Sequence, residues 1–150
     1  MPLKIYLDTS VISALFDDKN PERKMLTREF FMSSKKYDIY ISDISLAEIE
    51  KTDDENLKKM MKEFVKSFFK LEINDEVRSF AYELIKTEAV LKNSPEDAYH
   101  IAIAVVWHMD YLLSWNFRHI VRMKTRDVVR LVSTLNGYGH IEISAPAELN

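Results

Sequence analysis

Three acidic residues and one asparagine occur at positions where they could share a divalent cation. Asp8 ends an apolar segment near the N-terminus, Glu48 and Asp97 lie in or at the start of later helical patterns, and Asn116 follows another apolar segment. Carboxylates gathered in one cleft repel each other unless a cation or a raised pKa relieves them. Mg²⁺ and Mn²⁺ prefer such oxygen ligands. These four residues therefore form a candidate metal site.

Each acid also has an ordinary structural explanation. Asp8 could cap the helix that follows it, and Asp97 could interact favourably with the N-terminus of its own helix. Thr9 and Ser10 could do the capping in place of Asp8, and Glu96 could provide much of the benefit of Asp97, which leaves both aspartates free for chemistry. Glu48 lies among apolar neighbours, where an unpaired carboxylate would be costly. The case for a site therefore depends on whether the fold brings the acids together.

Short apolar segments that alternate with helical patterns predict an α/β fold with a mainly parallel sheet. We predict strands at 3–7, 37–41, 71–73, 111–114 and 141–143, and helices after Asn20, Ser42 and Ser94 and at roughly 55–70, 75–91 and 125–135. Ligands in such folds bind at the carboxyl ends of the strands. Asp110 precedes the fourth strand and is therefore predicted at the opposite edge.

The composition limits the class of protein. The chain has 150 residues, 47% hydrophobic and 30% charged, which suits a single domain over residues 1–150. No apolar run approaches the roughly 20 residues that span a bilayer, and there is no leader pattern or cysteine. We expect a cytoplasmic protein without disulfides. With only two glycines, Gly137 and Gly139, the chain has no glycine-rich phosphate loop.

Two residues near the candidate site allow a structural or a functional interpretation. His100 lies one helical turn after Asp97 and could approach a substrate phosphate, but a hydrogen bond in the core or at the surface is the favoured interpretation. Trp115 could stack on an unpaired base, although a role in covering the core is favoured.

Four segments, in this order, resemble the PIN-domain ribonucleases, including the VapC-type toxins of prokaryotic toxin–antitoxin pairs. These segments are residues 5–10 (IYLDTS), 42–48 (SDISLAE), 96–104 (EDAYHIAIA) and 110–117 (DYLLSWNF). The resemblance spans nearly the whole chain, because residues 141–146 also resemble the last strand of the family. It implies a three-layer α/β/α sandwich and cleavage of RNA that depends on Mg²⁺ or Mn²⁺.

Carried over from that resemblance, Asp8, Glu48 and Asp97 are the acidic triad that holds the metal. Many members of the family have a further aspartate near the end of the fourth strand. Asn116 occupies that region here, with Ser114 beside it. We therefore expect one metal ion rather than two, with Asn116 as a neutral ligand or a positioning group.

The resemblance also implies partners. The net charge is −3, but residues 118–130 contain five basic residues and one acid, and Ser114, Arg118, Arg122 and Lys124 are candidates for contact with RNA. A small antitoxin would insert a segment, with an arginine, across the acidic cleft. We also expect a homodimer, with candidate contact residues Met60, Met61, Phe64, Phe68 and Phe69.

Two other functions fit parts of the pattern. A phosphatase could use an aspartyl nucleophile at the position of Asp8, but the second aspartate common two residues later is replaced by Ser10. A non-catalytic binding module would explain the missing fourth acid. Turnover of a phosphate ester without cleavage of RNA would favour the phosphatase, and failure to bind metal would favour the binding module.

Overall fold

Five parallel strands form the centre of the molecule. The computed structural model describes residues 1–149, and all of their side chains except those of residues 89 and 90. The strands are β1 (Leu3–Leu7), β2 (Tyr37–Ser42), β3 (Phe69–Leu71), β4 (Tyr111–Leu113) and β5 (Glu142–Ser144), in the spatial order β3-β2-β1-β4-β5. The order reverses beside β1, so the carboxyl ends of β1 and β4 flank the crevice where such sheets bind ligands.

Helices cover both faces of the sheet, which gives the three-layer α/β/α sandwich that was predicted. They are α1 (Thr9–Ala14), α2 (Pro21–Met32), α3 (Asp43–Glu50), α4 (Glu55–Phe64), α5 (Asp75–Thr87), α6 (Pro95–Val106) and α7 (Met123–Leu135). Short 3₁₀ turns occur at Ser34–Lys36, Val65–Ser67, Ala89–Asn93 and Pro146–Leu149. Among the described residues, no helix combines the length and the apolar character needed to cross a membrane.

Strand β1 is buried on both faces because a helical layer packs on each side. Tyr6 points into the core formed mainly with α5, α6 and α7, whereas Ile5 and Leu7 point into the core formed with α1 and α2. All three side chains are fully buried. A continuous apolar strand of this kind is typical of a central parallel strand, and it fixes the position of Asp8 at its end.

Local signals begin several helices as expected. Pro21 and Pro95 occupy the first positions of α2 and α6, and Ser42 forms a capping box with Ser45 at the start of α3. Asn74 accepts a hydrogen bond from the backbone N–H of residue 77 at the start of α5. These caps set where α3 and α6 begin at the carboxyl edge of the sheet.

The prediction of one helix over residues 55–70 is wrong. Helix α4 ends at Phe64, and the chain then forms β3, in which Phe69 pairs with Tyr40 and Leu71 with Ser42. Pairing with β2 supplies the backbone hydrogen bonds that a longer helix would have made, so tertiary contact overrides the helical pattern. The third strand accordingly lies two residues earlier than the predicted 71–73.

Other element boundaries differ by smaller amounts. The helix predicted at 75–91 ends at Thr87, because residues 89–93 form the connection to α6. Helix α7 begins two residues earlier than predicted, β4 ends one residue earlier, and β5 is shifted by one residue. Helix and strand ends fray, so a periodic pattern defines them least sharply. None of these shifts moves a candidate site residue to another edge of the sheet.

The five candidate dimer residues do not form one exposed surface. Met61 is buried in the core, and Phe64 and Phe68 pack around Phe31 with ring centroids 4.9 and 6.2 Å from it. Met60 and Phe69 are at least half exposed. Met61 therefore packs in the core and is not available as a dimer contact. Formation of a homodimer stays a prediction.

Candidate active site

The three acids lie at the carboxyl edge of the sheet. Asp8 directly follows β1, Glu48 lies on α3 after β2, and Asp97 is the third residue of α6. Asn116 follows β4 in the neighbouring loop. Asp110 lies at the opposite edge, where its Oδ2 accepts a hydrogen bond of 2.8 Å from the backbone N–H of Lys4. The parallel topology thus separates the candidate acids from an ordinary one, as predicted.

Asp8 is the most enclosed of the acids. Its side chain accepts hydrogen bonds of 2.5 Å from the hydroxyls of Ser10 and Ser114, and the residue is 4% exposed. Burial raises the pKa of Asp8 above its usual value, and the nearby charge of Asp97 adds to this, while His100 and the two hydroxyls act in the opposite direction. A carboxylate that is costly to ionise gains most from a cation.

Glu48 is held by two donors on one oxygen. Its Oε1 lies 2.8 Å from the hydroxyl of Thr9 and 2.6 Å from Nε2 of His100. Burial alone would raise the pKa of Glu48, but the hydrogen bond and charge of His100, with the hydrogen bond of Thr9, lower it below its usual value. Glu48 is therefore ionised and oriented. Its neighbour Glu50 faces solvent and pairs with Lys62 at 2.6 Å.

A chain of buried hydrogen bonds leads from Ser42 through Tyr6 to His100, which contacts Glu48. The hydroxyl of Tyr6 lies 2.7 Å from Oγ of Ser42 and 2.6 Å from Nδ1 of His100. Because an ionised carboxylate only accepts hydrogen bonds, Nε2 of His100 carries the proton that it shares with Glu48. Burial would lower the pKa of His100, but the bond to Glu48 and the charges of the acids, led by Asp8, raise it. The favoured structural interpretation of His100 agrees with this geometry.

Asp97 is bonded by the loop that follows β4. Its Oδ2 lies 3.2 Å from Nδ2 of Asn116 and 2.9 Å from Nδ1 of His119. Oδ1 of Asn116 accepts the backbone N–H of His119 at 2.9 Å, which fixes the turn between them. The position where a fourth acid was considered thus holds an amide and an imidazole that both donate to Asp97.

The donor chemistry suits a hard divalent cation. Within the described part of the chain, Oε2 of Glu48 and Oδ1 of Asp97 accept no hydrogen bond, so each acid keeps an oxygen for a metal. Asp8 adds the third carboxylate. In residues 1–149 as they stand, no three acidic or histidine side chains converge closely enough to hold a metal ion. His100 and His119 contact the carboxylates instead.

The predicted RNA-contact residues occupy different surroundings. Ser114 belongs to the site through its bond to Asp8. Arg118 is exposed in the same loop, Arg122 is the N-cap residue of α7, and Lys124 lies 3.8 Å from the buried carboxylate of Glu88. Of these three basic residues, Arg118 is the nearest in sequence to the acids.

Sequence reasoning missed His119 and the positioning role of the hydroxyl groups. His119 lies three residues after Asn116, and that spacing is the only signal for it in the sequence. Thr9 and Tyr6 gave no signal, because their partners Glu48 and His100 lie 39 and 94 residues away in the chain.

The family of the chain follows from a match that covers most of the site. The family model described as "PIN domain" matches residues 5–114 of the chain, a range that includes all three acids. The chain belongs to the PIN domain family. No curated protein matches its sequence.

Solved structures with the same fold as this PIN domain include VapBC2, FitAB and the toxin VapC20. VapBC2 from Rickettsia felis, bound to a promoter DNA fragment, is 15% identical, with a TM-score of 0.62 over 95% of this chain and 98% of that one. FitAB bound to a DNA fragment is 16% identical, with a TM-score of 0.63 over 97% of both chains. VapC20 of Mycobacterium tuberculosis, described as a toxin that cleaves the sarcin–ricin loop, is 14% identical, with a TM-score of 0.63 over 76% of this chain and 91% of that one.

The pKa shifts predict how the stability of this PIN domain depends on pH in EDTA. Because the pKa of His100 is raised in the folded state, its stabilising effect is complete below the unfolded value of 6.5 and is lost as pH rises through the folded pKa. Glu48 has a lowered pKa, so its contribution is present above 4.5 and is lost in acid. We expect the free energy of unfolding of the wild type to fall as pH rises above about 6.5.

His100→Gln should show a flatter dependence over that range, which denaturant unfolding at several pH values would measure. His140→Gln is the control, because His140 is exposed and pairs with the exposed Glu142. Equal slopes for the wild type and His100→Gln would contradict the assignment of a charged His100–Glu48 pair.

Proposed function

We propose that this chain is a metal-dependent ribonuclease that resembles the VapC toxins. The observation that carries the proposal is the position of Asp8, Glu48 and Asp97, three carboxylates from separate elements at the crevice beside β1 in a PIN domain. The description of VapC20 as an RNA-cleaving toxin supports RNA as the substrate class. Cleavage of RNA is a phosphodiester hydrolysis, which needs an activated water and neutralisation of charge on the phosphate.

In this proposal, Asp8, Glu48 and Asp97 would hold one Mg²⁺ or Mn²⁺. Asn116 would position Asp97 through its amide N–H, because its Oδ1 already accepts the backbone N–H of His119. Bound there, the ion would supply Lewis-acid polarisation of the phosphate and a lowered pKa for a coordinated water. The protein's own groups prepare the site. Ser10 and Ser114 fix both oxygens of Asp8, while His100 and Thr9 fix one oxygen of Glu48.

Asp97 has a similar arrangement on the other side of the site. Asn116 and His119 donate to the same oxygen, so the other oxygen is free to accept a proton from water or to bind the cation. Nε2 of His119 makes no hydrogen bond among the described residues, and the side chain is 22% exposed. Because Nδ1 donates to Asp97, Nε2 of the neutral imidazole is an acceptor, and it is available to a water molecule or a ribose hydroxyl. Arg118, in the same loop, would add a salt-dependent contact to the RNA backbone.

The environment of Asp8 argues against the phosphatase. Ser10 stands where a second aspartate would be, and its hydroxyl oxygen accepts the backbone N–H of Trp115 at 2.9 Å. Ser10 therefore has a positioning role.

We also propose a protein antitoxin as a partner, because the structural neighbours include VapBC complexes. An apolar groove of about 790 Å³ is the surface that we assign to it, lined by Phe16, Asn56, Lys59, Met60, Glu63 and Phe64. A segment that continued from this groove to the acids could place an arginine against them. The homodimer and the cytoplasmic location remain predictions.

Incubation of the purified chain with single-stranded RNA or a generic phosphate ester, in Mn²⁺, Mg²⁺ or EDTA, tests the proposal. We expect cleavage of RNA with either cation, no cleavage in EDTA and no turnover of the ester. Turnover of the ester alone would favour the phosphatase, and inactivity on both substrates with no metal binding would favour the binding module.

A further inference from the structure

The loop after β4 directs some of its side chains towards the acids and others towards solvent. Ser114, Asn116 and His119 all donate hydrogen bonds to Asp8 or Asp97. Between Asn116 and His119, Phe117 is 50% exposed, and Arg118 is also exposed. The loop that donates hydrogen bonds to two of the proposed catalytic acids therefore also presents a large aromatic side chain and a cation to solvent.

The neighbouring Trp115 cannot serve as a platform for a base in this arrangement. It is 7% exposed, and its Nε1 donates a hydrogen bond of 2.9 Å to Oγ1 of Thr27. The guanidinium of Arg23 lies 5.1 Å from its ring. Trp115 thus covers the core, as favoured from the sequence, and it supports Phe117, whose ring meets it at 6.1 Å and 66°.

The support for Phe117 is connected to the acids by short contacts. The backbone N–H of Trp115 donates to the hydroxyl oxygen of Ser10, and that hydroxyl donates to Asp8. Asn116, which directly precedes Phe117, donates to Asp97. The two residues before Phe117 are therefore tied to the acids at which a phosphate would bind.

We infer that Phe117 is a stacking platform for an unpaired nucleobase of the RNA next to the phosphate that is cleaved. This inference rests on the proposed ribonuclease function and narrows its substrate to RNA that is single-stranded at the cleavage site. Every base has an aromatic face, so stacking on Phe117 tolerates any sequence. Arg118 follows Phe117 in the loop, and Arg23 lies over the ring of Trp115, so both would offset the net negative charge of the protein near the RNA backbone.

A binding experiment in EDTA separates this role from catalysis. Fluorescence anisotropy would give the dissociation constants of the wild type, Phe117→Ala and Phe117→Trp for a labelled single-stranded RNA and for its duplex. We expect Phe117→Ala to bind the single strand roughly 5- to 100-fold more weakly, the range found for loss of one base–aromatic stack. Phe117→Trp should restore binding, and affinity for the duplex should not change.

Phe69→Ala is the matched control, because Phe69 is 55% exposed on the edge strand β3 and should leave RNA affinity unchanged. RNA that carries 2-aminopurine at successive positions adds a direct readout of stacking. Fluorescence at one position should be quenched by the wild type and by Phe117→Trp, but not by Phe117→Ala.

Three results would overturn the inference in distinguishable ways. If the wild type cleaves and binds single-stranded RNA but Phe117→Ala binds it equally well, the stacking role is wrong and the ribonuclease proposal stands. The stacking role is also wrong if Phe117→Ala changes only self-association, which would make this ring a protein contact. If the wild type neither binds nor cleaves RNA, both the stacking role and the proposed function are wrong.

Discussion

Asp8→Asn should abolish cleavage of RNA while making the metal-free protein more stable. Loss of one metal-binding carboxylate removes several kcal/mol of transition-state stabilisation, which corresponds to a decrease in kcat/KM of roughly 1,000-fold. In EDTA the same change removes a buried charge whose pKa is raised by burial and by Asp97. Because that charge opposes folding at neutral pH, we expect the free energy of unfolding to rise by about 1 kcal/mol.

Rates of RNA cleavage in Mn²⁺ and urea unfolding curves in EDTA would measure the two effects. Asp110→Asn is the control, because Asp110 has the same chemistry at the opposite edge of the sheet, where its carboxylate accepts the backbone N–H of Lys4. It should retain activity. An Asp8→Asn protein that stayed active, or that lost activity only because it was unfolded, would contradict the role assigned to Asp8.

Asn116→Asp should raise the affinity of the site for metal and lower the stability of the protein without metal. The amide of Asn116 now donates to Asp97 at 3.2 Å, and an aspartate there would place two carboxylates in contact. A hydrogen bond to a charged group contributes about 1.5–3 kcal/mol, so we expect the variant to lose about 2 kcal/mol of stability in EDTA. A bound cation relieves the repulsion between the two carboxylates, so the affinity of the variant for Mn²⁺ should rise by roughly tenfold.

Thermal unfolding with increasing Mn²⁺ would show this as a larger metal-dependent rise in Tm than in the wild type. Asn56→Asp adds the same charge on exposed α4, away from the acids, and should behave as the wild type. If Asn116→Asp bound Mn²⁺ no more tightly than the wild type, then Asn116 would not lie in the metal site.

The edge of the sheet at which each acid lies could be predicted from the sequence. Asp8 follows a strand that is apolar at every buried position, and Asp110 precedes one, so parallel topology alone assigns them to opposite edges. The same rule predicts the positions of Glu48 and Asp97, because the helices that carry them begin at the carboxyl edge of the sheet. Their roles as metal ligands stay predictions.

What could not be predicted depends on contacts between distant residues. The end of α4 at Phe64 follows from the pairing of β3 with β2, which helical periodicity in residues 55–70 does not reveal. The bonds of His100 to Tyr6 and Glu48, and of His119 to Asp97, require the packed fold. For the same reason, the exposed aromatic residue of the site loop is Phe117 and not Trp115.

Titration calorimetry of Mn²⁺ into metal-free protein tests the central claim most directly. The compared proteins are the wild type, Glu48→Gln and Glu50→Gln, since Glu48 lies in the site and Glu50 faces solvent on the same helix. We predict one Mn²⁺ per chain for the wild type and for Glu50→Gln, and binding at least roughly tenfold weaker for Glu48→Gln. Equal binding by all three proteins, or no binding by the wild type, would contradict the assignment of these acids as a metal site.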